Sequence, residues 1–340
     1  MRIVHVLAGK PDNRCGVLDY TKSLVDALAP LRREAECRLV ERWSLQETLR
    51  ILRTYRGQIL HVQYPSLQMG KSPWWTLLTC LNRRSVVTLH EYRIFSTARK
   101  LYCLPAAMMA RQIIFSSAEE RQAFLAWYPF AAKASTVIPV GNNIPVNAPP
   151  QSGRPRRLIY FGQIGENKGL ELVIDAVAAL RRQGSNVPVA FIGAVADPTS
   201  PIVARVQAAA AAHAVDLRLN LKSDEVSQEL AQATHAYLPF PDGITDKRGS
   251  ALACLKHGVA VLTTHSERTP RWLRAATTNC RGPLDAAHFV MTPELPPIDK
   301  AALAAGLAER EWPAIAARHL SIYDDLAPSS PRLRSTPQSA

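Results

Sequence analysis

The sequence predicts an α/β chain built from two doubly wound parallel sheets of similar size, and three observations carry that expectation. Short β-branched runs alternate with amphipathic helical stretches through the first half. A segment without periodicity, residues 147–157 (NAPPQSGRPRR), interrupts the alternation. The same rhythm then restarts at Leu158. Strands separated by helices at this pace pair in parallel, because a parallel neighbour is reached only through a crossover long enough to hold a helix.

In order, residues 2–8 read as the first strand. A helix follows over 17–31, with Val17, Tyr20, Leu24, Leu28 and Leu31 on one face. A second strand is expected at 37–40. Ser44 with Glu47 three residues on reads as a capping box that opens a helix through Arg56. Further strands are expected at 59–63, 86–90, 113–116 and 136–140. The segment 147–157 is rich in Pro, Ser and Arg and reads as a linker. Beyond it, 158–161 is a strand and 169–182 a helix with Leu170, Val173, Ile174, Val177 and Leu180 in one stripe. Strands follow at 189–192, 217–219 and 236–240. A helix over 250–257 stops at Gly258 before a strand at 259–264. The domain expectation is therefore 1–148, a linker at 149–157, a second domain at 158–310, a last helix at 311–326 packing back, and a disordered tail from 327 to 340. Two such domains in tandem most often hold a ligand in the crevice between them, at the carboxyl ends of the strands.

Composition bounds the function. Of 340 residues, 47% are hydrophobic and 20% charged, enough to bury a core in each domain. The uncharged, mainly apolar run 101–110 is about half a membrane span. The apolar run 3–8 is too short for a secretory signal, so a cytoplasmic protein is expected. Six cysteines (15, 37, 80, 103, 254 and 280) form no CxxC, which argues against a disulfide scaffold or structural zinc and fits a reducing compartment. The net charge is +13, and residues 1–150 hold 20 basic against 10 acidic groups. That asymmetry suits an anionic partner or a solvated basic surface. Nothing resembling an RRM or a helix-turn-helix supports nucleic acid.

Several phosphate and hydrolase signatures are missing: GxxxxGK[ST], a GxGxxG after the first strand, GxSxG and DxD. Their absence argues against P-loop enzymes, dehydrogenases and α/β hydrolases. What stands after the strand at 158–161 is Gly162-Gln163-Ile164-Gly165-Glu166-Asn167-Lys168-Gly169, running into a helix. A glycine-bearing strand-to-helix turn with a lysine is a seat for a diphosphate, since backbone N–H groups and a point charge face the same place. It is equally an ordinary βα turn whose lysine faces water.

The segment FGQIGENKGLELVIDAVAAL resembles the donor-domain opening of the retaining glycosyltransferases of family 4, which have the GT-B fold. Five more segments resemble that family in the same order: CGVLDYT (15–21), HVQYP (61–65), VVTLHE (86–91), VIPVGNNIP (137–145) and PFPDGITDKRGSALACLKHGVAVLTT (239–264). Together they span roughly residues 1–325. The resemblance implies two Rossmann-like domains facing a central crevice, the first binding the acceptor and the second a nucleotide-diphosphate sugar.

It also implies roles. Gly16 lets the backbone approach the donor diphosphate or the acceptor. His90 hydrogen-bonds the transferring sugar, or merely caps a loop. Lys168 neutralises the diphosphate, and Gly249-Ser250 offers it N–H groups. Gly162 and Gln163 shape the donor loop, and Asp242 and Asp246 are counted among the donor contacts; which base and sugar are bound depends on pocket shape, for which Asp242, Arg248 and Glu267 are candidates. The chain departs from the family at Gln163, where an arginine is usual. It departs again at Thr245 and Ala253, where two glutamates eight residues apart are usual. Arg248 lies close enough in sequence to supply the missing phosphate contact. The pattern resembles a sub-group with DGxSxRRGSLLAALxHG better than the mainstream.

The implied reaction is hexosyl transfer with retention to a polysaccharide or lipid-linked glycan, in bacterial exopolysaccharide or cell-envelope synthesis, without a metal or other cofactor. No carboxylate is assigned as a nucleophile. The alternatives are a catalytically inactive GT-B partner subunit, or a nucleotide-sugar epimerase or sugar phosphorylase on the same plan. Lipid-linked acceptors would also account for basic residues interleaved with apolar ones at 71–84 (Trp74, Trp75, Leu77, Leu78) and 93–111 (Arg99, Lys100, Leu101, Tyr102), which suit a peripheral contact with an anionic inner membrane.

Overall fold

The chain divides into two units, Met1–Pro139 joined by the described residues from Trp312 onward, and Val140–Glu311. The structure is a computed structural model that describes residues 2–11, 15–31, 34–70, 72–147, 153–195 and 197–327.

In the first unit the chain runs β1 (Ile3–Ala8), α1 (Gly16–Leu28), β2 (Ala35–Val40), α2 (Leu45–Thr54), β3 (Ile59–Tyr64), α3 (Thr76–Leu81), β4 (Ser85–Leu89), α4 (Thr97–Leu101), α5 (Leu104–Met109), β5 (Gln112–Phe115), α6 (Ala118–Leu125) and β6 (Ser135–Val137). The strands are all parallel, in the order β2-β1-β3-β4-β5-β6. Every residue of β1, β3 and β4 is buried, as expected of strands covered on both faces.

The second unit runs β7 (Leu158–Phe161), α7 (Leu170–Arg182), β8 (Val189–Gly193), α8 (Pro201–His213), β9 (Asp216–Leu219), α9 (Ser223–Gln232), β10 (His235–Leu238), α10 (Gly249–Lys256), β11 (Ala260–Thr263), α11 (Arg271–Ala276), β12 (Thr278–Asn279), α12 (Pro283–Met291) and α13 (Lys300–Ala308). Its parallel order is β12-β11-β10-β7-β8-β9. This is the nucleotide-binding order 3-2-1-4-5-6, with the chain reversing direction between β7 and β10. The stripe on α7 is buried as expected at Leu170, Val173, Val177 and Leu180, each contributing about 1.5–3 kcal/mol on burial. The last helix, α14 (Trp312–Leu326), belongs to the first unit and packs against α1.

Local chemistry accounts for the places where elements differ from expectation. α1 ends at Leu28 rather than Leu31, because Pro30 lacks the N–H that would continue it; Ala29–Leu31 is a 3-10 turn. Ser44 caps α2 as expected by accepting from the Glu47 N–H at 3.2 Å, while the Glu47 carboxylate turns to Arg38 and Arg50. β4 stops at Leu89, so His90 is the first residue beyond it. β10 stops at Leu238, and Pro239 and Phe240 open a loop.

The second unit begins ahead of the expected linker. Within 147–157, Arg154 donates to the carbonyls of Ala231, His257 and Gly258. Arg156 donates to Met291 and Pro293, and Arg157 pairs with Glu229 at 2.6 Å. These arginines meet the carbonyl ends of α9, α10 and α12, which favour positive charge. Residues 148–152 of that segment, and the expected tail from Pro328, lie outside the described residues.

The aromatic pair at 74–75 is split. Trp75 and Leu78 belong to the core, with Trp75 stacked on Tyr64 at 4.4 Å between centroids, and Trp74 is exposed. No helix among the described residues is long and apolar enough to cross a membrane.

Candidate functional site

In a doubly wound sheet the loops at the carboxyl ends of the two strands flanking the reversal cannot both lie over the same neighbours, and they leave a place for a ligand. In the second unit those loops are 162–169 after β7 and 239–248 after β10. Gly169 joins them. It has φ +72°, and a Cβ there would run into the carbonyl of Pro239. Only glycine combines that conformation with that approach.

Within the first loop, Gly162 donates to the Ile192 carbonyl at 3.0 Å and Ile164 to that of Ala194 at 2.9 Å, which holds the loop beside β8. The Tyr160 ring lies beneath Gly162, and its hydroxyl donates to the Gln163 carbonyl at 3.0 Å. Burial pushes that phenol well up from its ordinary value, so it stays a neutral donor. Gln163 itself is exposed. Lys168 stands half-buried between two left-handed residues, Asn167 (φ 59°) and Gly169, at the opening of α7. Glu166 turns aside to accept from Ser200 at 2.9 Å.

In the second loop, the Arg248 guanidinium lies over the Phe240 ring, its Cζ 4.6 Å from the centroid. Its Nε is buried without a partner, and among the described residues it forms no ion pair. Burial lowers its pKa from the ordinary value; Asp242 opposes this, and Arg268 adds to it. An aromatic platform thus holds a cation that no carboxylate among the described residues meets at ion-pair distance.

Asp242 is exposed and lies 4.0 Å from Arg268. Asp246 is differently engaged. Its Oδ1 accepts from Trp272 Nε1 at 2.8 Å and from Arg310, whose guanidinium also stacks over Trp272 at 4.4 Å. Gly306 leaves the room that the Trp272 ring fills. Asp246 is thereby a brace between the loop, α11 and the residues just after α13. Gly249 begins α10, its N–H donating to Lys247, and Ser250 follows half-buried. Ala253 is fully buried in the core. Glu267 is exposed on the loop after β11.

The second unit therefore brings Gly162, Gln163, Lys168, Asp242, Arg248, Gly249 and Ser250 to one end of its sheet, and gives Asp246 to the fold. Gly16 and His90 are in the first unit. Gly16 is the first residue of α1, exposed, with nothing within 4 Å of where a Cβ would stand. His90 is buried, its Nε2 2.9 Å from Gln63 Oε1 and its ring edge-on to Tyr20 at 5.2 Å. The partners Phe240, Tyr160, Gln63 and Tyr20 were not singled out from sequence for these contacts. Gln63 alone carried a legible signal: strand periodicity places it on the same face as His61.

Two cavities lie at the amino ends of strands. One of about 430 Å³ is lined by Arg157, Pro188 and Gln232, and one of about 600 Å³ by Arg111, Lys133 and Arg318. Neither contains a residue named above as a candidate. Among the described residues no cluster of His, Cys, Asp and Glu could hold a metal ion.

No family model matches the chain, and no curated protein matches it by sequence. Solved structures do. A glycosyltransferase from Rickettsia africae is 14% identical with TM-score 0.71, the match covering 97% of this chain and 99% of that one. HepE from Anabaena in complex with UDP is 15% identical with TM-score 0.67, covering 96% and 100%. S. aureus MnaA, in a structure with UDP, is 13% identical with TM-score 0.57, covering 96% and 98%. The chain has the two-domain GT-B fold.

Proposed function

We propose that this chain is a glycosyltransferase that takes its sugar from a nucleoside-diphosphate donor held on the second unit. The observation that carries the proposal is Arg248, a guanidinium seated on Phe240 beside the Lys168 loop with no ion pair among the described residues, at the carboxyl ends of the two strands where the sheet reverses. A departing diphosphate needs positive charge and N–H donors already aimed at its oxygens. Arg248, Lys168, the glycine loop and the opening of α10 are of that kind. The UDP in the HepE and MnaA structures supports the reading.

At the finer level we assign the chain to the retaining enzymes of family 4, transferring a hexose to a polysaccharide or lipid-linked acceptor bound by the first unit, in cell-envelope or exopolysaccharide synthesis. His90 is assigned the hydrogen bond to the transferring sugar. The mechanism proposed is leaving-group stabilisation by Lys168 and Arg248, with no metal. Asp246 drops out of the proposed donor contacts, because Arg310 and Trp272 occupy it.

The membrane contact is assigned to the face around α4 and α5. Ile94, Leu101, Tyr102, Met108 and Met109 are exposed there. Arg99 and Lys100 on the same stretch are tied inward, Arg99 to Tyr64 and Gly70 and Lys100 over Trp127, so Arg93 and Arg111 are the exposed cations available to lipid. On this reading the protein is cytoplasmic and works at the inner face of the membrane.

One observation favours a second reading, a nucleotide-binding partner without turnover. Ala253 is sealed in the core, where the family resemblance implies a carboxylate. The test is a thermal-shift series with UDP, GDP and ADP, followed by transfer from the sugar conjugates to membrane lipid extract. Binding with transfer supports the enzyme, and binding without transfer supports the partner subunit. No shift with any nucleotide overturns both.

A further inference from the structure

The first unit contains a chain of buried polar side chains that the proposed reaction does not itself require. β1 and β3 pair in register so that His5 lies beside His61, their ring centroids 4.7 Å apart. Gln63, two residues on, faces His5 Nδ1 at 3.2 Å and His61 Nε2 at 3.4 Å through its amide nitrogen. His61 is closed off by Thr88 Oγ1 at 2.7 Å on one ring nitrogen and by the Tyr323 hydroxyl at 2.6 Å on the other. His5, His61 and Gln63 are fully buried and Thr88 almost so. A polar amide in such a place is costly unless it is bonded at both ends. Its other end, Oε1, lies 2.9 Å from His90 Nε2.

His90 is also held by its main chain, with its N–H donating to Tyr64 O at 2.8 Å and its carbonyl accepting from Ser116 at 3.2 Å. Its ring packs T-shaped with Tyr20, which is backed in turn by Trp312 at 5.5 Å and by His319 Nε2, 3.3 Å from the Tyr20 hydroxyl. Gln63 thus meets the imidazole at Nε2 and Tyr20 packs T-shaped against it, with the backing of Tyr20 coming from α14.

We propose that Gln63 is a positioning residue for His90: held by His5 and His61, its amide oxygen accepts the Nε2 proton and so fixes both the tautomer and the direction of the imidazole. An amide carbonyl can only accept, so the proton resides on Nε2, and Nδ1 carries the lone pair. Burial drives His5 down to about 3 and His61 well below its ordinary value, so both stay neutral and can accept from the Gln63 amide at neutral pH. The proposal rests on the role given to His90 and extends it inward.

Two measurements on the full chain test it. In the wild-type protein with ¹⁵N-labelled histidine, assigned with His90→Asn, the His90 signals at pH 8 should be those of the Nε2–H tautomer. An Nδ1–H tautomer overturns the proposal whatever the activity. The second is turnover of UDP-glucose, GDP-mannose and ADP-glucose with lipid extract in Gln63→Met and Gln63→Glu. For the donor that turns over, Gln63→Met should lower kcat roughly 10- to 100-fold with donor KM within about two-fold, the scale of a misplaced catalytic group. Gln63→Glu, which keeps an acceptor facing Nε2, should recover most of that loss. Full kcat in Gln63→Met while His90→Ala is inactive overturns the positioning role and leaves His90 standing. Full kcat in His90→Ala overturns the role of His90 itself, and the tautomer spectrum still decides what Gln63 does. Should Gln63→Met fail to fold, Tyr20→Leu removes the other support and should produce the same fall in kcat.

Discussion

Arg248 and Phe240 form a cation-on-ring pair at the end of β10, the guanidinium carbon 4.6 Å from the ring centroid and its Nε sealed from water. The pair holds a positive charge in place before any anion arrives, so little ordering remains to be done on binding. Arg248→Met, which keeps the stem and removes the charge, should weaken the nucleoside diphosphate that shifts the wild-type protein by roughly 10- to 100-fold, the size of a charge-assisted contact. Isothermal titration reads this directly. Unchanged affinity would remove Arg248 from the donor seat.

Gly169 tests the seat from the backbone side. Gly169→Ala combines φ +72° with a Cβ driven into the Pro239 carbonyl, so the two loops must part. The expected cost is about 1–3 kcal/mol in urea unfolding, with loss of nucleotide binding. Gly184→Ala has a similar φ of +74° but open space around it and is the control: a cost at the lower end and full binding.

The Asp246–Arg310 brace predicts a structural outcome instead. Arg310 is nearly buried, and removal of its partner leaves a charge with few alternatives. Asp246→Ala should cost about 3 kcal/mol in the unfolding of the second unit, and Arg310→Met a similar amount. The double variant should be less destabilised than the sum of the two, because neither charge is then stranded. Strict additivity would show the pair contributes nothing.

Acid stability follows from the buried histidines. Burial lowers His5 to about 3, His319 to about 4 and His61 well below the ordinary 6.5. Below 6.5 the unfolded chain therefore binds protons that the folded chain refuses. The stabilisation is complete above about pH 6.5 and is lost as pH falls toward 4. The urea midpoint of the first unit should drop through that window, and His319→Phe should flatten the slope. A midpoint independent of pH from 7 to 4.5 would contradict this.

The face around α4 and α5 carries the last prediction. Co-sedimentation with phosphatidylglycerol vesicles at low salt, and not with phosphatidylcholine, should fall sharply in a Leu101→Glu, Met108→Glu double variant, since both side chains are exposed. Equal binding to the two lipids, or to neither, would sink the membrane assignment.

The strands and principal helices were legible because their signal is local. β3, β7 and α7 declare themselves by run length and apolar spacing, and burial on both faces follows from parallel pairing. Ser44 was equally readable, since a cap acts within a few residues. Helices α8, α9 and α12 were not read, because their stripes are broken by alanine or by short polar stretches.

What the sequence by itself determined is most of the strands, the principal helices, the two-domain plan and the loop residues at the carboxyl ends of β7 and β10, each written in periodicity or turn chemistry over about a dozen positions. Tertiary structure decided which of those residues are free. Asp242 and Asp246 look alike along the chain, yet Asp246 meets Arg310, 64 positions away, and Arg248 is left on the Phe240 ring with no ion pair among the described residues. His90 likewise looks like any histidine at a strand end until β1, β3 and β4 set Gln63 against it. Partnership between distant side chains depends on strand order and register, and pairing over such separations leaves no local trace in the sequence.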